Sequence, residues 1–378
     1  MTRSLTKFPH NDIITLTAQA ADYDLAESVG PDLRLRDLLG GELDDLADLP
    51  LAYGSAAGRL DLRQAIATQH DVEADAVVTT VGGMHAQFLI ASILLCEPGD
   101  EVVLTSPHFP NTRAVFTAAG AQVRTLGLSF DHGYRLGAAA LAAKLSSRTR
   151  LVCLASPQNP SGITARTATI STILREMQDI CPEAFLLLDE TYREAVYGTN
   201  AIVPSPVYLS PRIVSCASLS KCHGAPGLRL GWAIIRDAAL REQLILGKFN
   251  SVICCSAIDE ALALRVLNRR DVILAERRQH LAQNLACVAE WVAAERDAIE
   301  WVPPDAGALC CVRLRASAFD DAAVSRFYAD LGREGVRVAP GDWFGEAPRV
   351  FRLGFGLLTM PDLLVALERL SNVLRRTA

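Results

Sequence analysis

No apolar stretch of the sequence is long enough to cross a membrane. The least polar segment, Phe88 to Cys96, is far shorter than the roughly 20 residues of a transmembrane helix. The segment from Met1 to His10 has no apolar core behind its basic residues, so no signal peptide is expected. The protein is therefore predicted to be cytoplasmic, with no membrane partner.

The cysteines lack the spacing of metal and redox sites. There are ten, but none forms a C-x-x-C motif, and the seven histidines show no ligand spacing with them. Cys153 and Cys216 lie in apolar runs, which is typical of buried thiols acting as small hydrophobic side chains. Reduced cysteines and no metal site are expected, in agreement with a cytoplasmic protein.

An excess of positive charge is also missing. Lysine and arginine number 37 against 43 aspartates and glutamates, for a net charge of -6, which argues against a nucleic-acid partner. Hydrophobic residues make up 50% and charged residues 21%, as in ordinary globular proteins. The length of 378 residues suits a large domain with a smaller companion.

Short apolar runs alternate with helical patterns from about residue 75 to 235. This alternation predicts an α/β fold in which a mainly parallel sheet is covered by helices on both faces. The helical patterns include Met84–Leu95 and Ala165–Asp179. The predicted strands are Ala76–Val81, Glu101–Thr105, Gln122–Leu126, Leu151–Ala155, Phe185–Leu188, Ile213–Ala217 and Leu230–Ile235.

The pattern changes after residue 256. Helical periodicity without glycine or proline predicts one long connecting helix over about 256–296. Strands over Gly307–Leu314 and Val350–Gly354, with helices over Phe319–Arg333 and Pro361–Arg375, predict a smaller α+β unit. We expect a large domain over 38–256 with a seven-stranded sheet, and a small domain formed by 1–37 and 257–378.

Common hydrolase and nucleotide-binding motifs are absent: there is no G-x-S-x-G, Walker loop or G-x-G-x-x-G. In an open α/β sheet, ligands bind beyond the carboxyl ends of the strands, so the residues after each apolar run are informative. In order, these are Gly82, Gly83, Phe109, Asn159, Asp189, Tyr192, Ser218 and Lys221.

Lys221 is the most informative of these residues. A lone lysine after a strand is usually a solvated end, but serines at 218 and 220 precede this one, glycines at 224, 227 and 231 follow it, and Arg229 is near. Burial and a neighbouring cation would lower the pKa of Lys221. Such an amine can form an imine with an aldehyde, and Arg229 and Ser218 could then bind a phosphate nearby.

Each of the remaining features has an ordinary structural interpretation as well. Asp189 could cap a helix or pair with a buried cation such as a protonated pyridine nitrogen. Gly82-Gly83-Met84 could bind an anion at a helix start or could be a plain turn. Asn159 lies in a stretch with the composition of a turn, and Phe109 taken alone favours a core ring.

Taken together, the motifs resemble those of the fold-type I, pyridoxal-phosphate-dependent aminotransferases of class I and II. The resemblance extends over about residues 50–360. It is carried by Ser218-Leu-Ser-Lys221 with Arg229, by Asn159-Pro-Ser-Gly162 and by Asp189-Glu-Thr-Tyr192, all in the family's order.

The resemblance implies catalytic roles. Lys221 would carry the internal aldimine of pyridoxal 5'-phosphate and shuttle protons, and Asp189 would keep the pyridine nitrogen protonated. Asn159 and Tyr192 would hydrogen-bond the phenolic oxygen of the cofactor.

The resemblance also implies how the rest of the cofactor is held. Phe109 would stack on the ring. Ser218, Arg229 and the backbone N–H groups of Gly83 and Met84 would bind the phosphate.

Two further residues match the family pattern. Tyr53 corresponds to a tyrosine that reaches the partner subunit's phosphate site, which implies a homodimer with shared active sites. Arg352 is either a surface arginine on a half-buried strand or, as we prefer from the resemblance, the residue that binds the substrate α-carboxylate in a bidentate fork, with Asn159 beside it.

The implied function is transamination between an L-α-amino acid and a 2-oxo acid. The alternative is another reaction of the same cofactor, namely β-elimination from a sulfur-containing amino acid, decarboxylation or oxidation. A ligand-sensing regulator is disfavoured, because only about 50 residues precede Tyr53 and they are not basic. A cofactor-free structural relative is disfavoured by the intact set of Lys221, Asp189 and Arg229.

The sequence departs from the family pattern at positions that bear on substrate choice. The N-terminal segment offers only Gly30-Pro31 where relatives have Gly-x-Pro, and Asn111-Thr112 follow Phe109 where many relatives have an aromatic residue. Glu27 and Ser28 are either substrate contacts or the end of a solvated helix, and the helix end is favoured. There is no clear second arginine for an acidic substrate side chain, so the amino donor and the acceptor stay open.

Overall fold

The computed structural model describes residues 8–40 and 44–378. Its strands are β1 (Tyr23–Asp24), β2 (Val77–Thr80), β3 (Glu101–Ser106), β4 (Gln122–Gly127), β5 (Thr149–Ala155), β6 (Phe185–Asp189), β7 (Ile213–Ser218), β8 (Gly231–Ile235), β9 (Ile299–Val302), β10 (Leu309–Leu314), β11 (Val336–Arg337), β12 (Ala339–Pro340) and β13 (Val350–Gly354).

The α-helices are α1 (Thr15–Ala18), α2 (Leu35–Leu39), α3 (Asp44–Ala47), α4 (Leu60–His70), α5 (Gly83–Leu94), α6 (Pro110–Ala119), α7 (Ala138–Ala142), α8 (Thr167–Ile180), α9 (Ala238–Val252), α10 (Ala257–Asn268), α11 (Arg270–Ala294), α12 (Asp321–Arg333) and α13 (Met360–Thr377). Short 3-10 helices occupy Asp12–Ile14, Ala74–Ala76, Phe130–His132, Pro206–Leu209, Pro226–Leu228 and Gly341–Phe344. Within the described ranges, no helix combines the length and the apolar composition that crossing a membrane requires.

The seven predicted strands form one sheet in the order β2-β8-β7-β6-β5-β3-β4. Every neighbouring pair is parallel except the two that involve β8, which runs antiparallel to both β2 and β7. The central strands β6 and β7 are buried along nearly their whole length, because helices cover both faces of the sheet. The predicted α/β fold with a mainly parallel seven-stranded sheet is confirmed.

A second, antiparallel sheet has the order β12-β13-β10-β9. It shares a hydrophobic core with α11, α12 and α13, whose apolar faces include Trp291, Phe327 and Leu370. The short strand β1 pairs in parallel with β11, so the N-terminal segment joins this unit. The domain limits at residues 38 and 256 stay a prediction, since α10 also packs its Ala263 and Val266 against the core of the large sheet.

The prediction of a single helix over 256–296 is wrong. The helix is interrupted at Arg269, whose backbone (φ -102°, ψ 11°) leaves the helical region and separates α10 from α11. The Arg269 side chain donates hydrogen bonds to the carbonyl oxygens of Asp37 and Leu38 at the end of α2. This distant contact accompanies the break, which no glycine or proline signals in the sequence.

Candidate active site

A cleft of about 700 Å³ lies at the carboxyl ends of the parallel strands. It brings together every predicted site residue except Tyr53, which lies outside it and is 82% exposed. The predicted residues that line the cleft are Gly83, Met84, Phe109, Asn159, Asp189, Tyr192, Ser218, Lys221, Arg229 and Arg352.

Lys221 lies in the loop that follows β7, with its side chain 25% exposed. Burial lowers the pKa of Lys221 to about 8, and the positive charges of Arg352 and Arg229 act in the same direction. The carboxylate of Glu27, 3.9 Å from the Lys221 Nζ, opposes this shift. Much more of the amine is thus unprotonated and nucleophilic near neutral pH than for an ordinary lysine, whose pKa is 10.5.

Two hydroxyl groups connect Lys221 to the opposite wall of the cleft. The Ser28 Oγ is 3.4 Å from the Lys221 Nζ and 2.7 Å from the Tyr192 hydroxyl. Ser28 is only 2% exposed and lies in an extended segment, so the interpretation of Glu27 and Ser28 as the end of a solvated helix is wrong. Burial raises the pKa of Tyr192, which keeps its hydroxyl protonated and able to donate a hydrogen bond.

Asp189 is the last residue of β6, and its carboxylate accepts three hydrogen bonds. Oδ2 accepts from the Gln87 Nε2 at 2.8 Å, while Oδ1 accepts from the Thr191 backbone N–H at 3.0 Å and from its hydroxyl at 2.5 Å. Burial nevertheless raises the pKa of Asp189. No helix begins directly after Asp189, so the helix-capping interpretation is wrong. A cation in the cleft would relieve this buried charge.

The first N–H groups of α5 have no side-chain cap. The capping residue Gly82 (φ 75°) carries no side chain that could accept from the first N–H groups of the helix, and these stay available to a ligand. Gly231 of β8 lets the turn approach closely, because a Cβ at Gly231 would lie 2.5 Å from the Gly82 carbonyl carbon and 2.6 Å from the Gly83 nitrogen. Arg229 also reaches this turn, since its Nη2 is 2.7 Å from the position of a Cβ on Gly82.

Arg352 lies in the middle of β13 and is 2% exposed. One guanidinium nitrogen, Nη1, donates to the Asn159 Oδ1 at 2.8 Å, and Nη2 donates to the Ala26 carbonyl oxygen at 2.5 Å. The Nε is buried without a hydrogen-bond partner. The guanidinium also lies over the Phe344 ring, 4.7 Å from its centroid. A buried cation with an unmet donor in a cleft is suited to bind a carboxylate.

Phe109 is the N-cap residue of α6, immediately before Pro110, and lines the cleft. The sequence context alone favoured a ring enclosed in the core, but the Phe109 side chain faces the cleft instead. Asn111 and Thr112 also line the cleft.

The sequence did not predict that Gln87 and Ser28 hydrogen-bond to the predicted site residues. Gln87 is 1% exposed and links the Asp189 carboxylate to the Thr112 hydroxyl, which donates to the Gln87 Oε1 at 2.9 Å. The available signal was a glutamine within an apolar helix, four residues after Gly83. For Ser28 the sequence offered only its nearness to Glu27.

The model of the family "Aminotransferase class I and II" matches residues 48–370. The chain belongs to this family. It is a pyridoxal-phosphate-dependent transaminase of fold type I, as the resemblance implied, and the family match favours transamination over the other reactions of the cofactor.

Among characterised proteins, the chain is similar to capreomycidine synthase of Streptomyces vinaceus, with 30% identity over 334 residues that cover 87% of this chain and 82% of the relative. It is also similar to the arginine–pyruvate transaminase of Pseudomonas aeruginosa, with 30% identity over 336 residues, 82% of this chain and 79% of the relative. Among solved structures, a PLP-dependent aminotransferase of Streptococcus suis shares the fold with a TM-score of 0.88 at 24% identity, covering 99% of each chain.

Proposed function

We propose that this transaminase holds pyridoxal 5'-phosphate on Lys221 and transfers the amino group of an L-α-amino acid to a 2-oxo acid. The observation that carries the proposal is a lysine amine with a pKa of about 8 in a cleft that also contains a buried carboxylate and an anion-binding helix start. An amine of this kind, a partner for a pyridinium and a phosphate site are the three features that the cofactor requires.

The residues of the cleft fit the cofactor at each end. The backbone N–H groups of Gly83 and Met84, the Ser218 hydroxyl and the Arg229 guanidinium would bind the phosphate. The close approach at Gly231 supports this, because any larger residue there would displace the turn that presents those N–H groups. Asp189 would bind the protonated ring nitrogen, and the three donors around it keep its carboxylate oriented.

The remaining face of the cofactor would be held by three other side chains. Phe109 would lie against the ring. The Tyr192 hydroxyl and the amide nitrogen of Asn159 would donate to the phenolic oxygen. The Asn159 Oδ1 already accepts from Arg352, so its amide N–H groups are the part left for a ligand.

When bound, the cofactor supplies an electron sink for the charge that develops at the substrate Cα as its proton leaves. The side chain of Lys221 would take that proton on Nζ and return it to the cofactor side. The Lys221 Nζ donates to the Ser28 Oγ at 3.4 Å, and the Tyr192 hydroxyl holds Ser28 in place through a hydrogen bond of 2.7 Å. This positions the base before the substrate arrives.

Arg352 would orient the substrate by its α-carboxylate. Its hydrogen bonds to Asn159 and Ala26 fix the guanidinium plane, and its burial strengthens the attraction for an anion. Because every α-amino acid and every 2-oxo acid carries this carboxylate, one residue serves both half reactions, and side-chain selection is left to other parts of the cleft.

The proposal includes a cytoplasmic homodimer in which Tyr53 reaches the phosphate site of the partner subunit. The support is the 82% exposure of the Tyr53 side chain, which has no place in the cleft of its own chain. Glu260 accepts from the Arg59 N–H and from the Thr79 hydroxyl, which anchors the segment after Tyr53 at the sheet edge.

An absorption spectrum of the purified protein with pyridoxal phosphate tests the proposal. We expect a yellow protein that single amino donors bleach, and the Lys221→Ala variant should lose both the absorbance of the bound cofactor and turnover. Lys144→Ala changes a lysine that does not line the cleft. It is the matched control and should behave as the wild type. Full turnover by Lys221→Ala would refute the assignment, and release of pyruvate and ammonia from a thioether amino acid would replace transamination by β-elimination.

A second experiment tests the shared sites. Mixing Lys221→Ala and Tyr53→Ala subunits should give hybrid dimers with one intact site, and so about a quarter of the wild-type activity if subunits exchange at random. Activity no higher than that of the separate variants would contradict the dimer.

A further inference from the structure

Glu27 is a charged residue of the cleft that the proposed function does not use. Its side chain is 24% exposed, and its nearest cation is the Lys221 Nζ at 3.9 Å, beyond hydrogen-bond distance. Shielding most of a carboxylate from water is unfavourable unless a cation accompanies it. In the proposed holoenzyme, before an amino donor reacts, Lys221 is engaged with the cofactor, so it does not offer Glu27 a free ammonium group while the donor binds.

The backbone around Glu27 is held on both sides by residues of the site. The preceding carbonyl oxygen, of Ala26, accepts from Arg352, and the following side chain, of Ser28, bonds to the Tyr192 hydroxyl. The Glu27 N–H donates to the Asp24 Oδ1 at 3.3 Å. Glu27 is therefore held at the wall of the cleft, close to the Lys221 amine and within electrostatic reach of Arg352.

The charges of the cleft become unbalanced once cofactor and substrate are assigned. Arg229 would neutralise the phosphate, Arg352 the α-carboxylate and Asp189 the pyridinium. Within the part of the chain that the structure describes, no arginine or lysine other than Lys221, Arg229 and Arg352 lines the cleft. Glu27 then has no cation of its own, because Arg352, whose pKa it raises, would be engaged by the α-carboxylate. An acidic substrate side chain would meet a carboxylate instead of a cation.

A second carboxylate at the rim, Asp32, is more exposed than Glu27 and has a different arginine near it. It is exposed, and it lies within electrostatic reach of Arg277, which lines a separate small cavity behind Lys221. Solvent and that cation already compensate its charge. Asp32 thus offers a matched control for the effect of negative charge near the cleft.

We propose that Glu27 is a specificity-determining residue that selects amino donors with a positively charged side chain, a guanidinium or an ammonium group. This inference rests on the proposed function and names its substrate class. The cationic end of the donor supplies a counter-charge to Glu27, and a neutral donor of the same shape leaves this partly buried carboxylate without it. Selection by an unpaired buried group is stronger than selection by apolar fit.

Arginine and citrulline form the most direct pair of test donors, because citrulline replaces the guanidinium by a neutral urea group of nearly the same shape. For the wild-type holoenzyme, kcat/KM for arginine should exceed that for citrulline by at least about thirtyfold, the lower range for losing one member of a buried charge pair. In Glu27→Gln the ratio should fall to within about threefold, because the carboxylate is gone. Asp32→Asn should keep the wild-type ratio.

The ratio separates this role from an effect on Lys221. If Glu27 acted only through the amine, Glu27→Gln would change kcat/KM for arginine and citrulline by the same factor, and the ratio would not move. That result would overturn the proposal. Equal losses of the ratio in Glu27→Gln and Asp32→Asn would also overturn it, because they would assign the effect to the overall field of the cleft.

A binding measurement gives a readout that does not depend on turnover. The ligand 5-guanidinopentanoate is arginine without its amino group, so it cannot react, and 5-ureidopentanoate is its neutral match. Calorimetric titration of the holoenzyme should show tighter binding of the guanidino acid, and Glu27→Gln should remove the difference. Equal binding of both acids to the wild type would contradict the proposal.

The two experiments distinguish failure of the inference from failure of the proposed function. A holoenzyme that transaminates acidic or neutral donors better than arginine would leave transamination intact and overturn the role of Glu27. A protein that no amino acid bleaches but that still prefers the guanidino acid through Glu27 would overturn transamination and keep the cation site.

Discussion

Gly231→Ala tests whether the contact between β8 and the start of α5 shapes the phosphate site. The added Cβ would lie 2.5 Å from the Gly82 carbonyl carbon, 2.6 Å from the Gly83 nitrogen and 2.7 Å from the Ala217 carbonyl oxygen. All three are backbone atoms of sheet or turn, so no flexible side chain can move aside. The protein must keep the overlap as strain or displace the turn.

Each of these two responses to Gly231→Ala has a measurable free-energy cost. Retained overlap should lower the free energy of unfolding by about 1–3 kcal/mol, the usual cost of overpacking. Displacement of the turn should cost at least one hydrogen bond to the charged phosphate, about 1.5–3 kcal/mol. At about 1.4 kcal/mol for each factor of ten, the dissociation constant of pyridoxal phosphate then rises roughly 10- to 150-fold.

The assay combines thermal unfolding of the apoprotein with a fluorescence titration of pyridoxal phosphate. The control is Gly127→Ala, at the carboxyl end of β4 in the same sheet, where an added Cβ meets nothing within 4 Å. A Gly231→Ala variant that matches this control in both Tm and cofactor affinity would refute the reasoning.

Three other outcomes are expected. The apoprotein should react with pyridoxal phosphate with a pH midpoint near 8, not 10.5, because burial favours the neutral amine of Lys221. Glu27→Gln should move this midpoint lower, since the Glu27 carboxylate raises the pKa of Lys221. An unchanged midpoint in the variant would contradict the contact between Glu27 and Lys221. Arg352→Lys should raise KM for all amino donors by about 10- to 100-fold, measured by steady-state kinetics, with cofactor affinity retained, because an ammonium cannot form the bidentate fork. Thr79→Val should lower the free energy of unfolding, measured in urea, by about 1–3 kcal/mol, because the Thr79 hydroxyl bonds both the Lys248 Nζ, which is fully buried, and Glu260; a neutral effect would mean that these groups find other partners.

The sequence could predict that the site residues lie close together, because their proximity follows from the geometry of a parallel sheet. Asp189 ends one parallel strand, while Asn159 and Lys221 follow two others, and the carboxyl ends of parallel strands meet at one edge. The sequence shows this without knowledge of strand order. Their roles as cofactor ligands stay predictions that the proposed experiments address.

The contribution of the N-terminal segment could not be predicted in the same way. Ser28 bonds a residue 164 positions away, and Ala26 bonds one 326 positions away, in a segment with no helical or strand periodicity of its own. The break at Arg269 has the same origin, since its side chain contacts the end of α2. In each case tertiary contacts decide the local structure, and local propensity gives no sign of them.

The segment from Leu25 to Ser28 has a consequence for biosynthesis. Its carbonyl oxygens accept hydrogen bonds from Gly354 and Arg352 in β13, more than 300 residues later in the sequence. A ribosome must therefore synthesise the chain through β13 before Arg352 meets these partners. The seven strands of the large sheet, which end at Ile235, can assemble earlier. The contacts of this segment with β13 thus form after the large sheet can assemble, and a nascent chain that lacks β13 cannot yet place Arg352 in the cleft.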